Sequence, residues 1–474
     1  MSRRLRTGGV AVIAVVPAAV DWIAKNVVWP RPFWVWFYDP ETAYFYNGLR
    51  LLRGQVPDHV DHPGTTLQIV SAAIAVVSQP TPLRYEAFLA LAHLLGLLLI
   101  LAATVLLVTT IFRDAPPALQ IAGAWTYFIA PHAFGLDDVW SPEVMYLPIA
   151  AIVFALFWRW WRTPGAMAAA FLGLSLGLAV ATKFTFLAWV PAALAAVAVA
   201  HRYRDALLLA AAAAAGFVTG TIPAVYQYEH MFQRLFVLGT QPRVGMRGGA
   251  WLVLTAKGWL LWVVVIVVFA AARRRWRQLP MLTFVAFAIC LNYLAMLRNA
   301  SFKHLLPSCL AFVLLFAISA STPPRPHAAM QIVVLGLCAL LTGKALIGDV
   351  GTHRRRIAQD TSLRAQIEAA VPRDAVVLYS WRVPIPSFAL RILSDDPRNH
   401  AEVERRYPRE GHFDARGGLF DRPRGRVFLP SGATRWDYLV IQPEALREFP
   451  ETVGPVVARV GRYVVVRAPD LDPR

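Results

Sequence analysis

The sequence predicts an all-α polytopic membrane domain of about eleven transmembrane helices plus an outer surface helix, followed by a small C-terminal α/β domain. Three observations predict it. Of 474 residues, 57% are hydrophobic and 16% charged, with a mean hydropathy of +0.48, whereas soluble globular proteins average about a quarter charged. Apolar runs of about 20 residues, the length that crosses a bilayer, recur through the first 350 positions. From 350 to 474 no such run exists, and 21 basic and 16 acidic residues are spread through the segment. A water-soluble enzyme is excluded on these grounds.

The runs fall at 8–29, 86–111, 117–133, 143–158, 166–182, 184–200, 206–224, 251–272, 280–297, 303–319 and 328–348. Phe88 to Ile111 contains no charge, and Leu252 to Ala272 only Lys257. A twelfth apolar stretch at 66–78 is too short to cross. Loop charge decides orientation, because Lys and Arg collect in short cytoplasmic loops. With the N-terminus inside, the inside segments carry Arg3, Arg4 and Arg6; Arg113; Arg159 and Arg162; Arg202 and Arg204; Arg273, Arg274, Arg275 and Arg277; and Arg325. If 66–78 crossed, every later loop would change sides and RRRWRQ would face out. Residues 64–78 therefore read as a helix at the outer surface or dipping part-way in. The N-terminal RRLR, apolar stretch and VVPAAV also resemble a signal peptide, although apolar character resumes at once with WIAKNVVW; either reading sends the next loop outside.

The net charge of +18 comes from 47 Lys+Arg against 29 Asp+Glu, and only five of the 47 are lysines. Inside-loop arginines explain this excess better than a nucleic-acid groove. Cys290, Cys309 and Cys338 all sit in apolar runs, which implies packing and no disulfide framework. The domain boundary falls at 349/350. In 350–474 the β-rich pieces AVVLYS, RVFL, DYLVI and YVVVR alternate with helix-like SLRAQIEAA and HAEVERRY. Eleven crossings from an inside start leave this domain outside.

Candidate chemistry collects in the outer loops. The first, 30–85, opens on WPRPFWVWFYDPETAYFY, an aromatic stretch suited to the membrane interface, with Asp39 and Glu41 inside it. A carboxylate there is costly unless paired, hydrated or used, and DPE is equally a helix start. In GQVPDHVDHPGTT, residues Asp58, His59, Asp61 and His62 leave room for a divalent metal but meet no strict ligand spacing. A polar loop leading into a helix at His62 fits the segment better. The second outer loop, 134–143, offers Asp137, Asp138 and Glu143, or an ordinary polar turn with SPE capping the next helix. RNASFKHLLPSCL gathers Arg298, Lys303 and His304 on the outer side, where cations bind phosphate or simply snorkel. Lys183 in VATKFTF has the same two readings, and Asp21 and Lys25, four apart, read as a local ion pair.

In order along the first 350 residues, these pieces resemble an integral-membrane glycosyltransferase of the C-type fold, close to bacterial relatives of the dolichyl-phosphate-mannose protein mannosyltransferases and the lipid A aminoarabinose transferase. An early outer-loop Asp-Glu pair is matched by FYDPETAYFYNG. The HPP segment that starts a surface helix is matched by DHPGTTLQ, with Gly64 in place of the second proline. The second acidic loop is matched by GLDDVWSPE, the lysine closing a Gly-rich span by GLSLGLAVATKF, and a basic residue before Leu-Pro by FKHLLPS. Order and shared sidedness carry the resemblance; the tail matches only in size and alternation.

The resemblance implies a polyprenyl-phosphate-linked sugar donor, an outer-loop aspartate as base, and basic residues on the lipid phosphate. The expectation is therefore a multi-pass protein of a bacterial inner membrane with a periplasmic C-terminal domain. It moves one sugar, with inversion, to a glycan, lipid or protein acceptor. Asp39 and Asp138 are the catalytic candidates. Glu41, His62, Asp137, Glu143, Lys183, Arg298, Lys303 and His304 are the substrate-binding ones. The sequence names no certain cofactor, and the acids leave room for a divalent metal. The partners are the lipid-linked donor, the acceptor and the bilayer, with no nucleic acid. Two alternatives stand beside this. One is an oligosaccharide transferase or ligase using a lipid diphosphate, with GLDDVWSPE contributing to a metal site. The other is a lipid-linked sugar flippase or transporter, which the lack of a clear internal repeat and the placing of the acids in one outer plane disfavour.

Overall fold

The computed structural model describes residues 3–35, 41–58, 64–130, 133–134, 139–233, 263–264, 266–267, 278–296, 302–321, 326–380, 383–386, 396–414, 426–447 and 454–469. The chain divides into two compact units: Met1–Val27, Val60–Leu67 and His93–Val350 form one; Val28–His59, Gln68–Ala92 and Gly351–Arg474 form the other. It is mostly helical, with several apolar helices and a small C-terminal sheet.

The helices follow the apolar runs closely. They are α1 (Arg3–Ile23), α2 (Glu41–Leu52), α3 (Thr65–Val77), α4 (Arg84–Thr109), α5 (Pro117–Ile129), α6 (Tyr146–Arg162), α7 (Ala166–Thr182), α8 (Trp189–Val199), α9 (Tyr203–Thr221), α10 (Leu279–Met296), α11 (Phe302–Ser321) and α12 (Ala328–Ala370). Among the described residues, five helical stretches are long and apolar enough to cross a membrane, and five shorter apolar ones accompany them. The run at 251–272 lies almost wholly outside the described residues. Helix α3 has 13 residues, about 20 Å at 1.5 Å per residue. That is too short for a hydrocarbon core of about 30 Å.

Small residues let the bundle close. Along α7 and α9, glycines recur every fourth position: Gly173 and Gly177 face Leu209 and Ala213 of α9, and Gly216 and Gly220 face Leu174 and Ala181 of α7. A Cβ at Gly177 would stand 2.0 Å from the Ala213 carbonyl oxygen, and one at Gly216 2.4 Å from that of Leu174. The two backbones therefore touch, a packing that lipid-embedded helices rely on because apolar burial gives them no drive. On the other side, α6, α8 and α10 interlock through Phe154, Phe157, Trp189 and Phe284 in stacked and edge-on contacts. Helix α1 packs on α5 through Ala11, Ala14 and Ala124, and the Trp125 indole N–H donates to the Ala14 carbonyl at 3.0 Å. Cys309 and Cys338 are buried; Cys290 is exposed.

One helix runs far beyond the hydropathy reading. The last apolar run, 328–348, is only the first half of α12, which continues to Ala370. Its second half, GTHRRRIAQDTSLRAQIEAA, is polar but has no proline and many strong helix formers, so hydropathy ends where helicity does not; Pro372 lies just past its end. In the first outer loop the acid Glu41 opens α2, where a carboxylate complements the dipole.

The tail carries a six-stranded sheet of β1 (Val377–Tyr379), β2 (Glu410–Asp414), β3 (Arg426–Phe428), β4 (Tyr438–Ile441), β5 (Val456–Val460) and β6 (Tyr463–Arg467), in the order β3-β2-β1-β4-β6-β5. Strand β1 is parallel to both β2 and β4, and every other pair is antiparallel. Buried on both faces, β1 fits its apolar sequence. A crossover helix, α13 (Pro397–Arg406), lies between β1 and β2 in the chain; it is capped by Asp396, whose side chain accepts from the Arg398 N–H at 3.2 Å. Leu378, Phe413, Leu439, Ile441, Val464 and Val466 form the core, joined by Ala445 of the short α14 (Pro443–Leu446). Strands β2 and β5 were not legible beforehand: EGHFD has no apolar run, and VVARV is a bulged edge strand that leaves most of its side chains outward. Arg405 and Arg406 hydrogen-bond the Glu402 carboxylate and hold its pKa at about 2, and burial raises that of Tyr379.

Candidate functional site

Within the first unit, the C-terminal ends of α1, α5 and α7 meet the N-terminal end of α6. Glu143 stands in a 3-10 turn (Pro142–Met145) that leads into α6; Lys183 follows directly on α7. Their side chains, 3% and 2% exposed, form an ion pair at 2.9 Å. Around it lies a buried polar chain. The Tyr146 hydroxyl meets Thr185 Oγ1 at 3.2 Å, Asn292 Nδ2 donates to the Thr185 carbonyl at 3.1 Å, and Ser308 Oγ donates to Asn292 Oδ1 at 2.7 Å. Thr66 and Thr182 share a hydrogen bond at 2.7 Å, so the start of α3 is held at the end of α7.

The same end of this unit holds a second buried cation. Lys25 lies in a π-helical turn (Ala24–Val28) that continues α1. It pairs with Asp21 at 2.8 Å and Asp349 at 2.5 Å, and donates to the Phe134 carbonyl at 2.7 Å. The local pair expected of Asp21 and Lys25 is present, and it reaches two further elements.

In the other unit, Arg31 pairs with Glu41 at 2.7 Å, both side chains under a tenth exposed, and its second arm reaches the Val35 carbonyl at 3.5 Å. Asp58 is taken by Arg50 in a two-pronged contact of 3.0 and 3.1 Å, and its backbone N–H donates to Asn47 Oδ1 at 2.7 Å. Residues Phe45, Tyr85 and Phe88 pack ring against ring beneath α2. Gly48 is pressed so close to α3 that a Cβ would lie 2.9 Å from the Ala72 nitrogen.

Of the residues singled out from sequence, the structure thus brings Glu143 and Lys183 together and gives Glu41 and Asp58 cationic partners. Asp39, His59, Asp61, His62, Asp137, Asp138 and Arg298 lie outside the described residues, and Lys303 and His304 are described only as backbone in the first turn of α11. Among the described residues no group of three His, Cys, Asp or Glu could hold a metal ion. Arg31, Tyr146, Thr185, Asn292, Ser308 and Asp349 were missed. Asn292 carried a signal, as a lone amide inside an apolar run, where it must find a hydrogen-bond partner. Arg31 and Asp349 carried none beyond charge at a membrane boundary.

Charges at the opposite helix ends group separately. Arg162, ending α6, pairs with Asp114, just before α5, at 2.6 Å, and the Trp160 indole donates to Asp205 of α9 at 3.1 Å. Both contacts join segments assigned to the inside by loop charge.

No family profile matches the chain, and no curated protein matches it in sequence. Among solved structures it is similar to the crystal structure of ArnT from Cupriavidus metallidurans bound to undecaprenyl phosphate, at 14% identity and a TM-score of 0.58, over 97% of this chain and 98% of that one. The apo state of the same protein matches over the same shares with a TM-score of 0.57. The chain therefore has this membrane-protein fold over nearly its whole length; the order of the outer-loop motifs implied it for the first 350 residues, and the likeness extends into the tail.

Proposed function

We propose that a chain sharing the ArnT fold over nearly its whole length is a polyprenyl-phosphate-dependent glycosyltransferase of a bacterial inner membrane. The observation that carries this reading is that near-complete likeness to a protein whose structure holds undecaprenyl phosphate. The eleven-span orientation places the acidic outer loops and the domain from 350 onward in the periplasm. The separation of Arg162–Asp114 from Lys183–Glu143 at opposite helix ends supports it.

In the reaction, an acceptor hydroxyl oxygen attacks the anomeric carbon. The bond from that carbon to the phosphate oxygen breaks, and the lipid phosphate departs with the electron pair. The hydroxyl proton passes to a carboxylate. Glu41 is already neutralised by Arg31, which leaves Asp39 as the base in its stretch, with Asp138 the second catalytic acid. Arg298, Lys303 and His304 stabilise the leaving phosphate. Asp137 and His62 orient acceptor and donor, and the buried Glu143–Lys183 pair completes the set of substrate-binding candidates. A single displacement inverts the anomeric carbon. A ligase using a lipid diphosphate would instead call for a metal among the loop acids.

Mass spectrometry of cell-envelope glycans from a deletion strain and its complemented parent tests the reading. One sugar missing from one envelope component, restored by the gene, is the expected result; unchanged glycans with accumulated inward-facing lipid-linked sugar would indicate a flippase.

A further inference from the structure

Of the chain's five lysines, three have described side chains; Lys344 is exposed on an apolar helix, whereas Lys25 and Lys183 are 1% and 2% exposed. These two buried ammonium groups hold the two ends of one short segment. Lys25 donates to the carbonyl of Phe134, where the second outer loop begins, and Lys183 pairs with Glu143, where it ends. Lys25 donates a hydrogen bond to the Phe134 carbonyl and forms ion pairs with Asp21 and Asp349. An ammonium fits three acceptors converging on a point, which a planar guanidinium does not, and the chain sets lysine here against its general preference for arginine.

Asp349 closes the apolar half of α12, and Asp21 lies one turn before Lys25 on α1. A buried cluster of two carboxylates and one ammonium is a poor way to gain stability, since desolvation offsets the attraction. What it does provide is a fixed position for the one backbone carbonyl it binds. The π-helical turn serves the same end: π turns are rare, costly and concentrated at functional sites, and this one carries Lys25.

We propose that Lys25, set by Asp21 and Asp349, is a positioning residue for the transfer reaction: it fixes the Phe134 end of the second outer loop while Lys183 fixes the Glu143 end. This rests on the glycosyltransferase reading for its catalytic consequence, but not for its structural one. Lys25 touches neither donor nor acceptor. Its loss lowers kcat and leaves KM for the donor in place.

The test compares wild type with Asp21→Asn/Lys25→Met/Asp349→Asn, which removes all three charges at nearly constant volume, and with Lys25→Arg, which keeps the charge balance should the neutral variant fail to fold. Each is measured for transfer kinetics and for amide hydrogen exchange. Positioning errors of about 1 Å cost about a hundredfold in rate, so kcat falls at least about tenfold with KM unchanged. Exchange rises at Phe134 and through 140–145 while α1 and α12 stay protected. Wild-type kcat and exchange in the folded variants would overturn the proposal, as would exchange rising evenly through α1 and α12, which marks a role in stability alone. If the wild-type protein transfers no sugar, the functional reading fails, and the exchange pattern still decides whether Lys25 fixes the loop.

Discussion

Replacing Lys183 by Met leaves Glu143 as a charge 3% exposed, with its 2.9 Å partner gone. Breaking a buried pair from one side costs about 3–5 kcal/mol, because the remaining charge stays desolvated and loses its direct counter-ion. Against a total stability of about 5–15 kcal/mol, that is a fifth or more. Glu143→Gln is milder, since the amide oxygen still accepts from Lys183, although the ammonium loses its counter-charge. The double variant removes both charges, and replacing a whole buried pair is about neutral. It should therefore be more stable than Lys183→Met alone, with an interaction energy of about 2–3 kcal/mol in the cycle. Denaturant titration in detergent micelles, followed by tryptophan fluorescence, reads this directly. Trp189 reports on the right region, because its ring packs on Phe186 three residues from the pair. The double variant should regain stability but not sugar transfer. Three variants all within about 0.5 kcal/mol of wild type would refute the reasoning, since that is how exposed ion pairs behave.

Gly177→Ala drives a methyl group into the Ala213 carbonyl; overpacking of this kind costs about 1–3 kcal/mol, seen as a lower denaturation midpoint, whereas the same change at Gly336, which has open space around it, should not destabilise. Asp396→Ala removes both the cap of α13 and the 3.1 Å pair with Arg84; cap loss alone is about 1 kcal/mol, and proteolysis within 397–406 should quicken. Glu402, held at about 2 by Arg405 and Arg406, contributes stability that is fully present above the unfolded value of about 4.3 and is lost as pH falls through 2; the gap in thermal midpoint between wild type and Glu402→Gln should be constant from pH 7 to 5 and close below. A single cysteine at 276 should resist an impermeant thiol reagent in cells with a permeabilised outer membrane; labelling there would reverse the orientation.

The membrane helices were legible because hydropathy and helicity coincide in lipid: α7 matches the run at 166–182 to the residue. They part company in α12, where a polar continuation stays helical for 22 residues beyond 348. Strand β5 escaped because a bulged edge strand is held by backbone pairing and leaves little pattern in its side chains, and β2 escaped because EGHFD has no apolar run although it is paired on both sides. The site was half legible. Lys183 stood out as a lone cation at the end of its span and Glu143 as one acid of the second outer loop, though not as each other's partner, since they are 40 positions apart. Lys25 read as a helical i, i+4 pair because Asp21 is near in sequence. Asp349 is joined to it only by the fold.

The central claim is that this chain breaks the bond between a sugar and a polyprenyl phosphate, with Asp39 taking the acceptor proton. The most direct measurement follows doubly labelled polyprenyl-phosphate sugar in proteoliposomes carrying wild type, Asp39→Asn or Asp138→Asn, with envelope extract as acceptor. Wild type should place the sugar label on acceptor and release an equal amount of free polyprenyl phosphate. Asp39→Asn should lower that rate by about a hundred- to ten-thousandfold, the usual cost of losing a general base, with expression and donor binding intact. Asp138→Asn should be impaired less. Donor that crosses the bilayer with its sugar bond unbroken would contradict the transferase, and full transfer by Asp39→Asn beside a dead Asp138→Asn would move the base to the second loop.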